Sequence, residues 1–521
     1  MTTTEQTDTF PVHWDDPEDA KTTWRYDREH MPGALRPLEF HLGTKRFLEG
    51  FGWGMEPRQI NYFVFFAFRP QAGAAPPAQP TPGSVREAAR RWHEEVLPEI
   101  LEHTKRYRET GFASMTDEQL AAEIEALPDL RYRSGQLHTL AIQPHWQGMN
   151  LLTEAYKELT GGGDLAALRL LNGYGNKSLD SGEQLWQVAR VANGMPAVRD
   201  RLLALESDSA LDTLAALRSD ADAAPFIEAF DAYLDEYGWR SGGGFGAATW
   251  IEDPTVPLML LRAYLQTDGY DPQEEQRRLI ADREAALRET MASLDDAGRA
   301  RLADALDAAV AVAPQLEDHN FYLDQRLYTT PRRLVLAAAE RLVAAAALAR
   351  PDDVFYLTDT ELCAALRGAT EGLAALAAQR KQEYEHWRAQ KPPPYVGAAP
   401  PDAPPEQSQP APRERTGELR GTGVSPGVAR GPARILRGLD EAARLRAGDV
   451  LVTSVTQPSW TPLFGIARAV VTEVGGMLSH TAVASREFGI PAVVNVRDAT
   501  RLLKDGQLIE LDGAAGTIRV L

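Results

Sequence analysis

One histidine of this chain stands where a phosphoryl group could be held. His480 follows the glycine pair Gly475 and Gly476, and with Ser479 it opens a segment that is typical of a helix. Glycines can adopt positive backbone angles, which we expect at both positions, and they let N–H groups approach an anion. The first N–H groups of a helix and the positive end of its dipole point to the same place. We therefore predict that the imidazole accepts a phosphoryl group as a nucleophile.

A second set of side chains could handle a hydroxyl that receives this group. A histidine can take the proton of the hydroxyl, and the forked guanidinium of an arginine can hold phosphate oxygens. The substrate-binding candidates on these grounds are His138, Arg240, His319, Asp324 and Arg333. The alternative for each is a hydrogen-bonded residue that orders the helical packing. The aromatic segment FGWGMEPRQINYFVFFAF, residues 51–68, either walls an acceptor pocket or forms an ordinary buried helix.

The elements that position these groups fall into three stretches. Residues 1–390 are dominated by helical spacing of apolar residues, most clearly in Leu279–Leu316, so we predict a mostly α-helical domain. Residues 391–418 are rich in proline and poor in apolar residues, which predicts a flexible linker, either a tether for a moving domain or a mere spacer. Residues 419–521 alternate short β-branched runs with glycine, aspartate and proline, which predicts a compact α/β domain.

Composition excludes several classes of function. The 521 residues include 74 acidic and 55 basic ones, a formal net charge of −19, which disfavours a nucleic acid or an anionic membrane as partner. The single cysteine, Cys363, excludes a disulfide framework and suits a reducing compartment. With no leader visible at the N-terminus, we predict a cytoplasmic protein. The sequence has no Cys and His spacing typical of metal ligands, so we predict no metal site.

The stretch VTEVGGMLSHTAVASREFGIPAVV, residues 471–494, resembles the phosphohistidine mobile, or swivelling, domain of the PEP-utilising, dikinase-like enzymes. The segments GTGVSPGVARG at 421–431 and GDVLV at 448–452 also resemble the start of that domain. The resemblance implies a swivelling domain over residues 419–521, with His480 as the catalytic residue. It further implies a phosphate cradle formed by Thr472, Gly475, Gly476, Ser479 and Arg486.

Segments spread over residues 10–362, among them YGWRSGGGFG at 237–246 and HNFYLDQRLY at 319–328, resemble the substrate-binding part of rifampin-phosphotransferase-type and phenylphosphate-synthase-type proteins. The resemblance implies a substrate or acceptor domain in residues 1–390. Enzymes of this group charge their histidine from a nucleotide-grasping domain or a phosphoenolpyruvate-binding barrel. Neither is recognisable in this sequence, which also has no G-x-x-x-x-G-K-[ST] phosphate loop.

The leading hypothesis is therefore a phosphotransferase component of a split enzyme. It would carry a phosphoryl group on His480 to a small organic alcohol or phenol bound in the helical domain. We expect no cofactor on this chain, and Mg²⁺ with ATP or phosphoenolpyruvate on a separate ATP-grasp-like subunit. Two alternatives stay open: a regulatory or binding subunit that keeps the fold without turnover, and a subunit whose phosphorylation activates a substrate for elimination or carboxylation.

Overall fold

The computed structural model describes residues 10–69 except 15 and 29, residues 79–399 except 243, 268 and 270, and residues 418–521. The chain forms two compact units, each assembled from three stretches of sequence. The first unit consists of Met1–Ala78, Pro98–Thr139 and Leu327–Ala411, and the second consists of Gln79–Leu97, Leu140–Arg326 and Pro412–Leu521.

Helices dominate the described part of residues 1–390. In chain order the helices are α1 (Lys45–Gly50), α2 (Pro82–Arg91), α3 (Leu97–Glu109), α4 (Asp117–Thr160), α5 (Asp164–Leu168), α6 (Lys177–Asn193), α7 (Pro196–Leu203), α8 (Ala210–Arg218), α9 (Ala224–Tyr237), α10 (Thr255–Leu265), α11 (Pro272–Ala292), α12 (Asp296–Val312), α13 (Gln315–His319), α14 (Arg332–Ala344), α15 (Asp359–Leu366), α16 (Leu373–Arg388), α17 (Thr461–Phe464), α18 (His480–Glu487) and α19 (Ala499–Leu502). Among the helices described, none combines the length and the apolar character needed to cross a lipid bilayer.

Strands form one sheet in each unit. In chain order they are β1 (Thr23–Tyr26), β2 (Met55–Ile60), β3 (Phe63–Phe68), β4 (Tyr395–Gly397), β5 (Glu418–Arg420), β6 (Thr422–Ser425), β7 (Val428–Ile435), β8 (Val450–Thr453), β9 (Ala469–Thr472), β10 (Ala492–Val494), β11 (Leu508–Asp512) and β12 (Thr517–Val520). The coarse prediction of a helical region followed by an α/β region is therefore confirmed. The predicted helical run Leu279–Leu316 is interrupted, because Asp295 caps the start of α12 by accepting from the Gly298 N–H.

The first unit contains an antiparallel sheet of strand order β2-β3-β1-β4 that the sequence analysis did not predict. The interpretation of residues 51–68 as a buried helix was wrong, because β2 and β3 form a hairpin there. Its two-residue turn, Asn61 and Tyr62, has positive φ angles of 49° and 69°, the combination of a type I′ turn whose twist matches the strands. The alternating aromatic residues of β3 place Phe63 and Phe65 in an apolar core with Trp24.

Part of the predicted linker is ordered in the first unit. β4 pairs with β1, with Val396 opposite Trp24, and Val396 packs against the same apolar core. One backbone ladder and a half-buried valine thus anchor the beginning of the proline-rich stretch. Residues 400–417, the remainder of that stretch before β5, lie outside the described residues. The predicted linker of residues 391–418, and with it the domain boundaries at 390 and 419, stay predictions.

The sheet of the second unit has the order β5-β12-β11-β7-β8-β9-β10-β6. Its centre, β7-β8-β9-β10, is parallel, and every residue of β8, β9 and β10 is buried. Continuous apolar runs are what strands covered on both faces require. Because β9 continues through the glycine pair into α18 and then into β10, the start of α18 lies at the carboxyl edge of the parallel strands, where α/β sheets commonly bind ligands.

Helices of the second unit pack directly against this sheet layer. Leu185 of α6 and Tyr264 of α10 belong to the same apolar core as Phe464 of α17 and Phe488 after α18. The hydroxyl of Tyr264 also donates to the Pro462 carbonyl at 3.4 Å. As a result, the start of α18 faces the helical layer, and the side chains there meet groups from distant parts of the sequence.

Candidate active site

The site is built around the first turn of α18. Ser479 has an extended backbone (φ −68°, ψ 158°) and caps the helix, because its Oγ accepts from the Ala482 N–H. His480 is therefore the first helical residue. Thr456 and Thr461, from the connection after β8, are buried beside it, and Thr456 Oγ1 lies 2.8 Å from Thr481 Oγ1.

His480 makes a hydrogen bond with a carboxylate that the sequence analysis missed. Its Nδ1 lies 2.9 Å from Oε1 of Glu317 on α13, and the two side chains are 10% and 2% exposed. The other carboxylate oxygen of Glu317 accepts from the Ser178 hydroxyl at 2.5 Å, near the start of α6. Glu317 therefore uses both oxygens, one to fix the imidazole and one to fix itself against the helices.

The protonation of this pair leaves one imidazole nitrogen free to react. Burial raises the pKa of Glu317, but the charge and hydrogen bond of His480 and the bond from Ser178 outweigh it, so the pKa lies below its usual value. A carboxylate can only accept, which assigns the Nδ1 proton to His480 and leaves a lone pair on Nε2. Thr461 Oγ1 is 3.5 Å from Nε2 and donates its own proton to the Pro458 carbonyl at 2.8 Å. Nε2 is thus the ring nitrogen chemically able to act as a nucleophile.

Two residues predicted to cradle phosphate, Thr472 and Arg486, hydrogen-bond the backbone of the glycine loop. Thr472 donates its hydroxyl to the Val474 carbonyl at 2.8 Å, and Arg486 donates to the Met477 carbonyl at 3.0 Å. These carbonyls bracket the glycine pair. Burial lowers the pKa of Arg486 to about 10, and a second bond, to the Val424 carbonyl, also occupies its guanidinium. The cradle role stays a prediction for all five residues, Thr472, Gly475, Gly476, Ser479 and Arg486.

The expectation that both glycines need a positive backbone angle holds only for the first. Gly475 has φ +138°, and a Cβ there would lie 3.0 Å from Ser479 Oγ and 3.3 Å from Val494 Cβ. Gly476 does not have a positive φ, and a Cβ there would meet no atom within 4 Å. Glycine is thus required by the loop at Gly475, whereas at Gly476 it leaves open space in front of the helix.

We expect Gly475→Ala to lower the free energy of unfolding by about 1–3 kcal/mol, because the new methyl group strains the backbone and crowds the helix cap. Gly476→Ala is the matched control and should change it by less than about 0.5 kcal/mol. Urea denaturation of the two variants measures both values. Equal losses in the two variants would show that the loop is not held in this conformation.

The second unit also holds three of the predicted substrate-binding residues. Arg240 is 1% exposed, and the charge of Glu317 acts on it. His319, two residues after Glu317, lies with Nδ1 2.8 Å from the Gln315 carbonyl and Nε2 3.6 Å from Asp324 Oδ2. Burial lowers the pKa of His319 to about 4, so the ring is neutral at physiological pH and a weak proton acceptor.

The other two candidates belong to the first unit, where both have structural partners. The ring of His138 stacks on Phe51 with 4.7 Å between centroids and meets Phe47 edge-on. Arg333 donates to the carbonyls of Tyr107 and Arg108. A substrate-binding role for either residue stays a prediction.

Comparison with known proteins agrees with the geometry around His480. Residues 445–516 match the family described as PEP-utilising enzyme, mobile domain. These residues are similar to that mobile domain. Residues 138–316 match the family described as rifampicin phosphotransferase fourth domain. The first match includes His480, and the second ends one residue before Glu317, so the hydrogen bond joins a residue of the first matched region to the residue that directly follows the second.

Curated relatives extend the likeness over nearly the whole chain. The chain is 32% identical to chondramide synthase cmdD of Chondromyces crocatus over 98% of its own length and 14% of that protein. It is 27% identical to the uncharacterized phosphotransferase YvkC of Bacillus subtilis, over 96% of this chain and 62% of that protein. It is 31% identical to a rifampicin phosphotransferase of Streptomyces sviceus, over 87% of this chain and 53% of that protein. The chain therefore spans less than two thirds of each of these relatives.

Proposed function

We propose that this chain is a phosphotransferase component in which His480 Nε2 carries a phosphoryl group to the hydroxyl of a small organic acceptor bound among the helices. The observation that carries the proposal is the hydrogen bond between His480 Nδ1 and Glu317 at 2.9 Å. That contact leaves the nucleophilic nitrogen pointing away from the carboxylate. Relatives named as phosphotransferases support the same class of reaction.

Charging and transfer divide the reaction into two displacements at phosphorus. In the first, the Nε2 lone pair forms the N–P bond, and the P–O bond to the leaving group of the donor breaks with its electron pair. The resulting phosphoimidazole bears a proton on Nδ1, so its ring is cationic, and the Glu317 carboxylate offsets that charge. In the second, the acceptor oxygen attacks phosphorus, the N–P electron pair returns to Nε2, and the hydroxyl proton leaves to water.

The donor is proposed to bind elsewhere. ATP or phosphoenolpyruvate, with Mg²⁺, would be bound by a separate ATP-grasp-like subunit, and the mobile domain would swivel between that subunit and the acceptor. The linker of residues 391–418 would permit this movement. In this proposal the contact between His480 and Glu317 is made in the conformation in which His480 faces the bound acceptor.

The acceptor half of the proposal can be tested without the donor. Potassium phosphoramidate phosphorylates histidine directly, and we expect the charged full-length chain to lose phosphate from His480 faster when a true acceptor is added. A panel of alcohols and phenols that includes rifampicin is screened by ³¹P NMR for a phosphate ester that appears as the phosphohistidine signal decays.

Two outcomes separate the alternatives. An ester that accumulates identifies a phosphotransferase, and an ester that is consumed again identifies phosphorylation as an activating step. If the phosphohistidine at position 480 decays at the same rate with every member of the panel and with Glu317→Gln, the regulatory alternative is correct and the proposed function is wrong.

A further inference from the structure

Arg240 is a buried cation, and the described residues offer its guanidinium no hydrogen-bond partner. Its side chain is 1% exposed, and within the described part of the chain its Nε, Nη1 and Nη2 atoms have no hydrogen-bond partner. Native proteins leave few buried polar groups in this state, and a buried charge without a counter-ion is especially costly. The described residues therefore do not account for the burial of this guanidinium.

The surroundings of Arg240 stabilise the charge only in part. Its guanidinium lies 5.6 Å from the centroid of the Trp250 ring and 5.7 Å from that of Phe321. Aromatic faces attract a cation, but they leave the in-plane N–H donors of the guanidinium unsatisfied. Burial lowers the pKa of Arg240, against the attraction of Tyr233, Tyr237 and Glu317. The guanidinium is therefore buried close to two rings, and its N–H donors have no partner among the described residues.

Other unsatisfied groups are found around the same carboxylate. Gln315, on the same short helix as Glu317, is 2% exposed, and its amide nitrogen and oxygen have no partner among the described residues. His145 Nε2 is likewise unpartnered within that part of the chain, and the charge of Glu317 acts on His145 as it does on Arg240. Several orphaned polar atoms near one catalytic carboxylate indicate a polar ligand rather than a packing fault.

We propose that Arg240 is the receptor for an oxyanion that enters the buried site beside Glu317. A planar fork between two aromatic rings matches two oxygens of a carboxylate or a phosphate, which it would bind with paired N–H donors. Two sources supply such oxygens: the phosphoryl group carried by His480, or an acidic group of the acceptor molecule. The inference rests on the proposed function for the identity of the anion, but binding of an anion to Arg240 does not.

The test measures anion binding to the uncharged full-length chain. Orthophosphate and benzoate are titrated by calorimetry at constant ionic strength into the wild type, Arg240→Met and Arg131→Met. Arg131 is the matched control, because it is equally buried but donates to the carbonyls of Leu42 and Tyr328 at 3.0 and 2.8 Å. We expect Arg240→Met to weaken binding of at least one probe by about tenfold or more, and Arg131→Met to leave it unchanged.

The two sources and the failure of the idea give different results. If the wild type binds orthophosphate more tightly than benzoate, and phosphohistidine 480 hydrolyses faster in Arg240→Met, then the anion at Arg240 is the phosphoryl group. If the wild type binds benzoate more tightly than orthophosphate, and the lifetime of the phosphohistidine is unchanged in Arg240→Met, then the anion is an acidic group of the acceptor. Wild type that binds neither probe, or an Arg240→Met chain that binds both as the wild type does, overturns the proposal.

Thermal unfolding supplies an independent measurement. Removing an unpaired buried charge should leave the melting temperature of Arg240→Met unchanged or higher in the absence of anions, whereas Arg131→Met should melt at a lower temperature because it loses two hydrogen bonds. A loss in Arg240→Met as large as that in Arg131→Met would show that Arg240 serves the fold, and this too would overturn the receptor role.

Discussion

We expect a His480→Ala chain to carry no acid-labile phosphate at position 480 and to transfer none, because its only nitrogen nucleophile at the carboxyl edge of the sheet is gone. The chain should still fold, since Glu317, the hydrogen-bond partner of the imidazole, keeps the bond from Ser178 on its other oxygen. Without His480 nearby, burial would raise the pKa of Glu317 and favour its neutral form. Mass spectrometry of peptides kept at alkaline pH measures the label.

A histidine far from the site provides the control. His386 lies on an exposed face of α16 in the first unit, and His386→Ala should keep the full label when donor and partner are supplied. Phosphate that persists at equal stoichiometry in His480→Ala, or that maps to another residue, would contradict the carrier role of His480.

The second large effect is expected from Glu317→Gln. An amide N–H facing His480 Nδ1 would make that nitrogen an acceptor, which places the ring proton on Nε2 and removes the nucleophilic lone pair. By the usual size of orienting-carboxylate effects, the rate of phosphoryl transfer should fall about 10²–10⁴-fold. Rapid-quench measurement of phosphohistidine formation and decay gives both half-reactions.

The neighbouring acid shows whether the effect belongs to the dyad. Asp318 lies next to Glu317, but its carboxylate accepts from the Lys177 backbone N–H at 2.9 Å and does not bond His480. Asp318→Asn should therefore change the transfer rate by no more than about threefold. If Glu317→Gln transfers as fast as Asp318→Asn while both fold normally, the carboxylate does not set the tautomer of His480.

His480 could be predicted from sequence because its setting is local. The strand, the glycine pair, the cap and the helix follow one another within residues 469–487, and each has its own residue pattern. Glu317 could not be found in this way. It lies 163 positions from His480, and the contact depends on how α13 packs against the sheet layer. In the sequence Glu317 stands two residues before His319, which was a predicted substrate-binding residue, whereas Glu317 was not.

The sequence does not distinguish a helix from a strand where an apolar run is continuous. Phe63–Phe68 is almost entirely apolar, so periodicity alone does not separate a buried helix from a buried strand. The aromatic content of that run favoured a strand, and the turn at Asn61 and Tyr62 was not recognised because the second residue is not glycine. In the second unit the β-branched runs were short and clearly bounded by glycine, aspartate and proline, which made the α/β character of residues 419–521 predictable.

The strand order of the second unit also determines when the protein can fold during synthesis. β5 pairs with β12, with Arg420 opposite Thr517, and β6 pairs with β10. The partners of both early strands are therefore synthesised about 70–100 residues later. The edge that supports His480 is therefore complete only after those partners have left the ribosome. Until then a nascent chain exposes the apolar faces of β7, β8 and β9, and chaperones that cover such surfaces would bind it at this stage.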